Sequence, residues 1–375
     1  MDTNRPERAL LVQGVVGRRD REEAAESLAE LERLADTAGV QTVGHITQRR
    51  ERPTVGYYIG EGKLEDIRLA CQQANANLVI FDNDLTPVQV NNLDLALGTK
   101  VIDRAELILQ IFARRARSSE SQIQVELAQL QYLISRIPVS IKQPRFTGGI
   151  GMRGPGESPL QLRNAPMRRR IKDLKEKLER IRKQRATVRK RRPWPVVCLV
   201  GYTNAGKSTL LNALTQSDAY VDDRLFATLD TKTRLVSLPD RGKFLVTDTV
   251  GFIRHLPHGL VASFRSTLDE VSEADLLLVV ADAGHERMAD HLAVVAATLK
   301  EIGADDVPSL LVFNKSDTIP PHALWTLEEA YPRAVMVSAL RNEGLDHLKD
   351  LIAERLGTSA GFAGPGQDPS SDVGK

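Results

Sequence analysis

One segment, from Pro195 to Leu214, limits the possible folds of this chain more than any other. It begins with the apolar run PVVCLV, continues with the glycine-bearing turn GYTNAGKS (Gly201 to Ser208) and ends in the helical pattern TLLNAL. A buried strand, a glycine-rich loop and a helix in this order present free backbone N–H groups to a bound phosphate. We therefore predict a P-loop in an α/β domain that has a mostly parallel sheet and flanking helices.

Two side chains of this loop suit the chemistry of a nucleoside triphosphate. Lys207 would bridge the β- and γ-phosphates, and the hydroxyl of Ser208 would ligate Mg²⁺. Farther along, the strand-like run KFLVT ends in DTVG (Asp248 to Gly251). The acid of this motif would hold the metal through water, and its last N–H would reach the γ-phosphate. The loop between the two motifs must then supply a switch threonine. The candidates by chemistry are Thr228, Thr231 and Thr233.

A later segment indicates which base the site accepts. The aliphatic run SLLVF leads into NKSD (Asn314 to Asp317). A carboxylate at Asp317 accepts hydrogen bonds from the N1–H and the 2-amino group of guanine, whereas adenine offers no donors there. The stem of Lys315 can cover the base plane, and a backbone N–H in Ser338 to Leu340 can meet the guanine O6. The pattern therefore predicts GTP and GDP as ligands.

The length of 375 residues predicts two or three domains. Short apolar runs such as ALLVQGVV (Ala9 to Val16) alternate with helix-like segments near the start, which is typical of a small α/β unit. Two helical patterns then flank the glycine-rich FTGGIGMRGPGESP (Phe146 to Pro159), which favours an antiparallel helical hairpin. We predict an N-terminal α/β domain (1–112), this hairpin (113–192), a GTP-binding domain (193–357) and a disordered tail (358–375).

Positive charge is concentrated in one region, although the formal net charge is only +2. Most residues between Arg163 and Arg192 that carry charge are basic. Such a run is either a solvated helix face or a contact for a polyanion, and composition leaves both readings open. Cys71 and Cys198 are single residues in apolar segments, so we expect buried thiols and neither a disulfide nor a zinc site. No apolar run is long enough to span a bilayer, and no secretory signal is visible, so we expect a cytoplasmic protein.

These motifs, taken together, resemble the HflX family of translation-associated GTPases over most of the chain. The segments GYTNAGKST (Gly201 to Thr209), LFATLD (Leu225 to Asp230) and DTVGFIRHLPH (Asp248 to His258) are similar to that family's P-loop, first switch and second switch. GGIGMRGPGE (Gly148 to Glu157) resembles its inter-helix loop, and GEGKLEDI (Gly60 to Ile67) resembles part of its N-terminal domain. The resemblance implies the same fold, GTP hydrolysis that depends on Mg²⁺, and the 50S ribosomal subunit as partner.

The resemblance also implies roles for single residues. Thr228 becomes the magnesium-binding switch threonine, and Phe226 to Asp230 would close over the nucleotide. Together with Thr228, Lys207 and Gly251 are expected to act in hydrolysis, and Ser208 would be the other metal ligand. The predicted nucleotide-binding residues are Gly201, Tyr202, Thr203, Asn204, Ala205, Gly206, Lys207, Ser208, Thr209, Phe226, Ala227, Thr228, Leu229, Asp230, Asp248, Thr249, Val250, Gly251, Asn314, Lys315, Ser316, Asp317, Ser338, Ala339 and Leu340.

Two positions differ from well-known patterns. Phe252 follows DTVG, where many signalling GTPases carry a glutamine that orients the attacking water. We therefore name no side-chain general base, and core packing is the other reading of Phe252. The resemblance implies slow intrinsic hydrolysis that the ribosome accelerates. After GPGE the chain reads SPLQLRN (Ser158 to Asn164) instead of an acidic stretch, and we expect Pro159 to shorten or break the start of the second hairpin helix.

Three functions follow as hypotheses. The first is a monomeric, ribosome-associated GTPase that binds the 50S subunit and ribosomal RNA, and that splits or rescues 70S ribosomes under stress. The alternative is a GTP-dependent switch that recruits a protein partner and has no ribosomal role. An ATP-driven RNA-remodelling enzyme is the third, but Asp317 disfavours adenine, and the sequence shows no second P-loop.

Overall fold

The three-dimensional structure is a computed structural model of the chain. It describes residues 7–17, 21–136, 159–189, 193–215, 224–238, 242–254 and 265–358. The described residues form two compact units, the first containing 7–114 and 122–179, the second containing 115–121 and the described residues from 180 onwards. The predicted glycine-rich loop (148–157), residues 255–258 of the second switch and residues 359–375 of the predicted tail lie outside the described ranges. The domain boundaries given above stay a prediction.

The first unit contains a four-stranded parallel sheet in the order β2–β1–β3–β4. Its strands are β1 (Arg8–Val16), β2 (Gln41–Arg50), β3 (Leu78–Phe81) and β4 (Lys100–Asp103). The apolar runs of β1 and β3 are buried, as expected for parallel strands that are covered on both faces. Residues 54–60 form a turn in which the backbones of Thr54 and Tyr58 pair.

The helices of the first unit alternate with its strands and complete its core. They are α1 (Arg21–Thr37), α2 (Glu61–Ala74), α3 (Pro87–Leu97) and α4 (Arg104–Arg115). Thr86 and Gln89 form a reciprocal capping box at the start of α3, where Pro87 supplies the favoured φ angle. Ile67 of α2 and Leu93 of α3 are completely buried in one cluster with Val12 and Phe81 of the sheet. These contacts fix the predicted α/β character of this region.

Two long helices follow, α5 (Ser119–Arg136) and α6 (Pro159–Arg189). Glu120 pairs with Arg185, and Glu126 pairs with Arg170. Position numbers therefore rise along one helix as they fall along the other, so the two helices run antiparallel, as the sequence predicted. Pro159 does not break α6 but begins it, because a proline is tolerated in a first helical turn, where its missing N–H would have no partner.

The second unit contains a six-stranded sheet in the order β10–β9–β8–β5–β7–β6. The strands are β5 (Val196–Gly201), β6 (Lys232–Leu238), β7 (Gly242–Asp248), β8 (Leu276–Asp282), β9 (Ser309–Asn314) and β10 (Val335–Met336). Every neighbouring pair is parallel except β6 and β7. The helices are α7 (Lys207–Thr215), α8 (Arg265–Ser272), α9 (Met288–Glu301), α10 (Pro321–Ala330) and α11 (Leu345–Thr358).

This sheet confirms the predicted fold class and positions the site. Strands β5, β7, β8 and β9 all end at one edge of the sheet, and parallel sheets bind ligands at the carboxyl ends of their strands. Val197, Leu278 and Val312 at the centre are completely buried, which gives the loops beyond them a rigid support. None of the helices in the described part of the chain is both long and apolar enough to cross a membrane.

Candidate nucleotide-binding site

The predicted phosphate loop leaves β5 at Gly201 and enters α7 at Lys207. Gly206 has a φ angle of +87°, and a Cβ at this position would lie 2.2 Å from the side-chain nitrogen of Asn314. Glycine is thus required both by the backbone conformation and by the close approach of Asn314. An open pocket lies beside this loop. Its lining residues are Thr203, Asn204, Gly206, Lys207, Ser208, Thr209, Arg224, Phe226, Ala227, Thr228, Thr249 and Gly251.

Lys207 is buried at the base of this pocket, with 7% of the residue exposed. Its ammonium group donates hydrogen bonds to the carbonyl oxygens of Gly201 (3.1 Å) and Tyr202 (2.9 Å). Burial lowers the pKa of Lys207 to about 8, although the nearby Asp248 acts in the opposite direction. Two neutral carbonyls offset only part of the cost of burying a cation, so an anion in the loop would gain a strong, charge-assisted interaction.

Three oxygen-bearing side chains meet at one side of the pocket. The hydroxyl of Ser208 donates to Oδ2 of Asp248 at 2.6 Å, and the hydroxyl of Thr228 donates to the same atom at 3.0 Å. The two hydroxyl oxygens lie 2.9 Å apart. The other carboxylate oxygen of Asp248 is buried and has no hydrogen-bond partner among the described residues. Hard oxygen donors around an unpartnered carboxylate oxygen fit Mg²⁺ that retains water ligands.

The fold distinguishes the three threonines that the residues alone left open. Only Thr228 lies beside Ser208 and Asp248. Thr233 belongs to β6, where its hydroxyl lies 2.9 Å from the hydroxyl of Thr247. Thr231 precedes that strand and is half-buried. The structure thus brings together the residues that the family resemblance selected as metal ligands.

The DTVG segment is attached directly to the phosphate loop. Phe252 donates its N–H to the carbonyl of Gly201 (3.1 Å) and accepts the N–H of Thr203 (2.8 Å) through its own carbonyl. A Cβ on Gly251 would lie 2.8 Å from the methyl carbon of Thr203, so this close approach also requires glycine. Phe252 is 2% exposed. Its side chain therefore packs in the core, and it offers no polar atom to an attacking water.

At the other end of the site, Asn314 links three segments. Its side-chain nitrogen donates to the carbonyl of Ala205 at 3.0 Å, and its side-chain oxygen accepts the N–H of Ala339 at 3.0 Å. Asn314 ends strand β9, so these bonds fix the P-loop and the Ser338–Leu340 segment to the sheet edge. Leu340 is 79% exposed, which leaves its side chain free of the core.

The carboxylate of Asp317 is held in place by a neighbouring hydroxyl. Ser338 donates to one oxygen of Asp317 at 2.6 Å, and this bond keeps the pKa of the carboxyl group below its usual value. Lys315 has a φ angle of +61° and pairs with Asp282 at 2.7 Å. An ionised carboxylate beside an ordered lysine stem matches the predicted contacts to guanine. The role of Asp282 as partner of Lys315 was missed, because 33 residues separate the two.

Some side chains of the predicted set point away from the pocket. The ring of Tyr202 stacks on His291 with 3.8 Å between centroids, and its hydroxyl accepts the N–H of Arg254 at 3.0 Å. Leu229 is buried, and Asp230 contacts Ser118. The nucleotide contacts predicted for Tyr202 and Leu229 would therefore come from their backbone, and they stay a prediction. Arg224 also lines the pocket and was missed by the sequence analysis. Its position just before the first switch was the one signal that could have identified it.

The fold and the site together are those of a P-loop GTPase. Three family models match consecutive parts of the chain: "GTP-binding GTPase N-terminal" at residues 25–113, "GTP-binding GTPase Middle Region" at 115–192 and "50S ribosome-binding GTPase" at 196–315. The protein hydrolyses GTP, as these matches and the relatives below show.

Known proteins resemble the chain over most of its length. The GTPase HflX of Caldanaerobacter subterraneus is 46% identical over 354 residues, which cover 93% of this chain and 81% of that protein. The GTPase HflX of Escherichia coli is 44% identical over 88% of this chain and 79% of that protein. A crystal structure of SsGBP with GDP has a TM-score of 0.51 and 27% identity, covering 94% and 98% of the two chains. The chain belongs to the HflX family of GTPases.

Proposed function

We propose that this GTPase binds the large ribosomal subunit in its GTP-bound state and separates or rescues 70S ribosomes under stress, as a cytoplasmic monomer. The main support is the match of residues 196–315 to the model of 50S ribosome-binding GTPases. A second support is the basic helix α6, whose charge suits the phosphates of ribosomal RNA.

The accessible charge of α6 can be assigned to particular residues. Arg170 is engaged by Glu126 through two bonds of 2.6 and 2.8 Å. Arg168, Lys172 and Lys175 are exposed and recur at the three- and four-residue spacing that places side chains on one helix face. A basic stripe of this kind binds a polyanion at many points, so its affinity falls steeply with salt.

The proposed hydrolysis follows from the geometry of the phosphate loop. Lys207 and the backbone N–H groups of the loop would hold the β- and γ-phosphates and stabilise the charge that develops during in-line attack by water. Gly251 would direct its N–H to the γ-phosphate. When bound by Ser208 and Thr228, with Asp248 acting through water, Mg²⁺ supplies Lewis-acid stabilisation of the phosphate oxygens. Because Phe252 is a buried hydrocarbon side chain and carries no carboxamide, it cannot orient the attacking water, which supports slow hydrolysis until a partner orders the switches.

Co-sedimentation with purified ribosomes tests the proposal. The protein is mixed with 50S subunits and 70S ribosomes in the presence of GDP, GTP or a non-hydrolysable GTP analogue, at several salt concentrations. We expect binding to 50S subunits with the analogue, little binding with GDP, and loss of the 70S peak under the triphosphate. Replacement of Arg168, Lys172 and Lys175 by alanine should weaken binding and reduce its salt dependence.

A matched control separates specific binding from a general effect of charge. The triple alanine variant of Lys243, Lys300 and Arg333 removes three exposed positive charges from the second unit. It should bind ribosomes as the unmodified protein does. Equal loss in both triple variants, or sedimentation that ignores the nucleotide, would contradict the proposal and favour a GTP-dependent switch with a protein partner.

A further inference from the structure

The first switch is anchored by a segment that belongs to the middle-region family model. The carboxylate of Asp230 accepts three hydrogen bonds: the hydroxyl of Ser118 at 2.6 Å, the N–H of Ser118 at 3.2 Å and the N–H of Arg117 at 3.1 Å. Ser118 and Arg117 lie within residues 115–192, which that model matches, and all three residues are in the second compact unit. More than one hundred residues of chain separate the two sides of this contact.

The local structure explains why these donors are available. Ser118 precedes the first residue of α5, and its hydroxyl oxygen accepts the N–H of Ser121 at 3.1 Å, as a helix N-cap does. The N–H groups that precede a helix have no partner within it and favour a negative charge. Asp230 is thus a carboxylate fitted to this helix start.

Asp230 stands two residues after Thr228, the proposed metal ligand. Two residues of extended chain span at most about 7 Å, so an anchor at Asp230 restricts where the hydroxyl of Thr228 can lie. Leu229 between them is 3% exposed and is packed in the core. With the segment on this path, the Thr228 hydroxyl lies 3.0 Å from Oδ2 of Asp248.

The helix start that receives Asp230 is itself fixed within the second unit. Glu120, two residues after Ser118, pairs with Arg185 of α6 at 2.7 Å. Arg185 also pairs with Glu270 of α8 at 3.1 Å, and Arg182 pairs with Asp269 at 2.9 Å. We use the name hairpin root for residues 115–121 and 180–189. Three acids outside the hairpin root contact it, namely Asp230, Asp269 and Glu270. A fourth contact, between Glu120 and Arg185, joins the two segments of the root to each other.

We propose that Asp230 is a positioning residue for GTP, which holds Thr228 beside the metal site by bonding Ser118 of the hairpin root. The inference rests on the proposed role of Thr228 as a ligand of Mg²⁺. Because the coupling of two sites is reciprocal, a bound triphosphate that orders Thr228 would also stabilise the Asp230–Ser118 contact. The hairpin root would then report the nucleotide state to the helices that extend from it.

The test compares the affinities of the full chain for GDP and for a non-hydrolysable GTP analogue, both with Mg²⁺. Asp230→Ala should weaken the analogue about tenfold, as expected for loss of hydrogen bonds to a charged group, and should leave GDP affinity unchanged. Ser118→Ala should weaken the analogue selectively but by less, because the N–H groups of Arg117 and Ser118 still reach Asp230, and the double variant should be no worse than Asp230→Ala. Ser118→Thr keeps the hydroxyl and should restore binding.

Ser118→Asp separates positioning from helix stability. Aspartate is a good N-cap, so α5 keeps its start, but the new carboxylate repels Asp230. We expect the same selective loss of the GTP analogue as in Asp230→Ala, with an unchanged melting temperature. A Ser118→Asp variant that binds both nucleotides normally would overturn the inference, because only the cap would then matter. Ser135→Ala removes an exposed hydroxyl of the same helix and serves as the control.

Thr228→Ala in the same assay distinguishes the two ways in which the inference can fail. If Thr228→Ala selectively loses the analogue while Asp230→Ala does not, the anchor is unnecessary and the inference alone is wrong. If Thr228→Ala binds the analogue normally, the proposed metal role of Thr228 is wrong, and the inference falls with it. Equal weakening of GDP and analogue by Asp230→Ala would also overturn it, since that result indicates general damage.

Discussion

In both sheets of this protein, parallel strands end next to acidic side chains, but these acids have different partners. At the edge of the first sheet, Asp82 forms a salt bridge with Arg104 at 3.0 Å, and Arg104 also pairs with Glu30 at 2.6 Å. All three side chains are almost completely buried. At the edge of the second sheet, Asp248 receives two hydroxyls on one oxygen and leaves the other without a partner among the described residues.

The same arrangement of strands and acids can therefore serve stability in one unit and ligand binding in another. In the first unit Arg104 pairs with both carboxylates, so each of these buried charges faces an opposite charge of the protein, and only Nε of Arg104 in this cluster lacks a hydrogen-bond partner among the described residues. In the second unit the cation Lys207 faces carbonyl oxygens, and the free oxygen of Asp248 faces no donor. Charges that remain uncompensated in the protein are those that a ligand can compensate. The following predictions test this difference, beginning with the largest expected effect.

Arg104→Met should destabilise the first unit by about 3 to 5 kcal/mol, because it leaves the carboxylates of Asp82 and Glu30 buried without a counter-charge. Hydrogen exchange of the β1 and β3 amides measures this loss. The affinity for GTP should stay unchanged. Arg68→Met is the matched control, since Arg68 pairs with Glu65 at the surface and its loss should have little effect. Faster exchange in both variants, or weaker GTP binding in Arg104→Met, would break the comparison.

Lys207→Ala should weaken GTP binding or turnover about 100-fold, as expected when a main stabiliser of phosphate charge is removed. It should not destabilise the fold, because the variant also removes a buried charge that lacks an anionic partner at bonding distance among the described residues. Fluorescent-nucleotide titration and a melting curve measure the two quantities. Lys243→Ala removes an exposed lysine on β7 and should match the unmodified protein. Normal GTP binding by Lys207→Ala would refute the assignment of the phosphate loop.

Asp317→Asn should weaken GTP binding about tenfold or more, because it removes an ionised acceptor of two guanine donors. Xanthine nucleotides should bind relatively better, since their C2 carbonyl can accept from the new amide. Competition of GTP, XTP and ATP against one labelled nucleotide measures the preference. Asp306→Asn alters an exposed acid of the same unit and is the control. An unchanged order of preference would count against Asp317 as the base contact.

The protonation of Lys207 should make both stability and GTP binding depend on pH, and this is the smallest of the expected effects. The pKa of Lys207 is lowered to about 8 in the folded protein without nucleotide, whereas the pKa of a lysine in an unfolded chain is about 10.4. The unfolded chain therefore binds more protons between these values, so this group makes stability rise with pH across that window. Phosphate binding favours the charged form, so GTP binding should take up as much as one proton near pH 8.5 and much less at pH 7.

Calorimetry in two buffers of different ionisation enthalpy measures this proton uptake. The Lys243→Ala variant should show the same uptake as the unmodified protein, because Lys243 is exposed and is not among the predicted nucleotide-binding residues. An uptake that is equal at pH 7 and pH 8.5 would show that Lys207 is already fully charged before the nucleotide binds.

Local motifs made much of the site predictable. The sequence around Gly201 to Ser208 predicted a strand, a loop and a helix, and the structure confirms them as part of an α/β fold. This prediction was possible because glycine positions and apolar runs determine backbone conformation over a few neighbouring residues.

The residue types alone established the chemistry available at each strand end: a lysine and a serine after β5, an acid at the end of β7, and an asparagine and an acid at and after the end of β9. Which of these groups meet depended on the packing of the whole unit. It placed Thr228, and neither of the other two threonines, beside Asp248, and it joined Asp230 to Ser118. The physical reason is that local patterns specify backbone conformation over one turn or strand, whereas partners across long sequence separations depend on how the packed elements align.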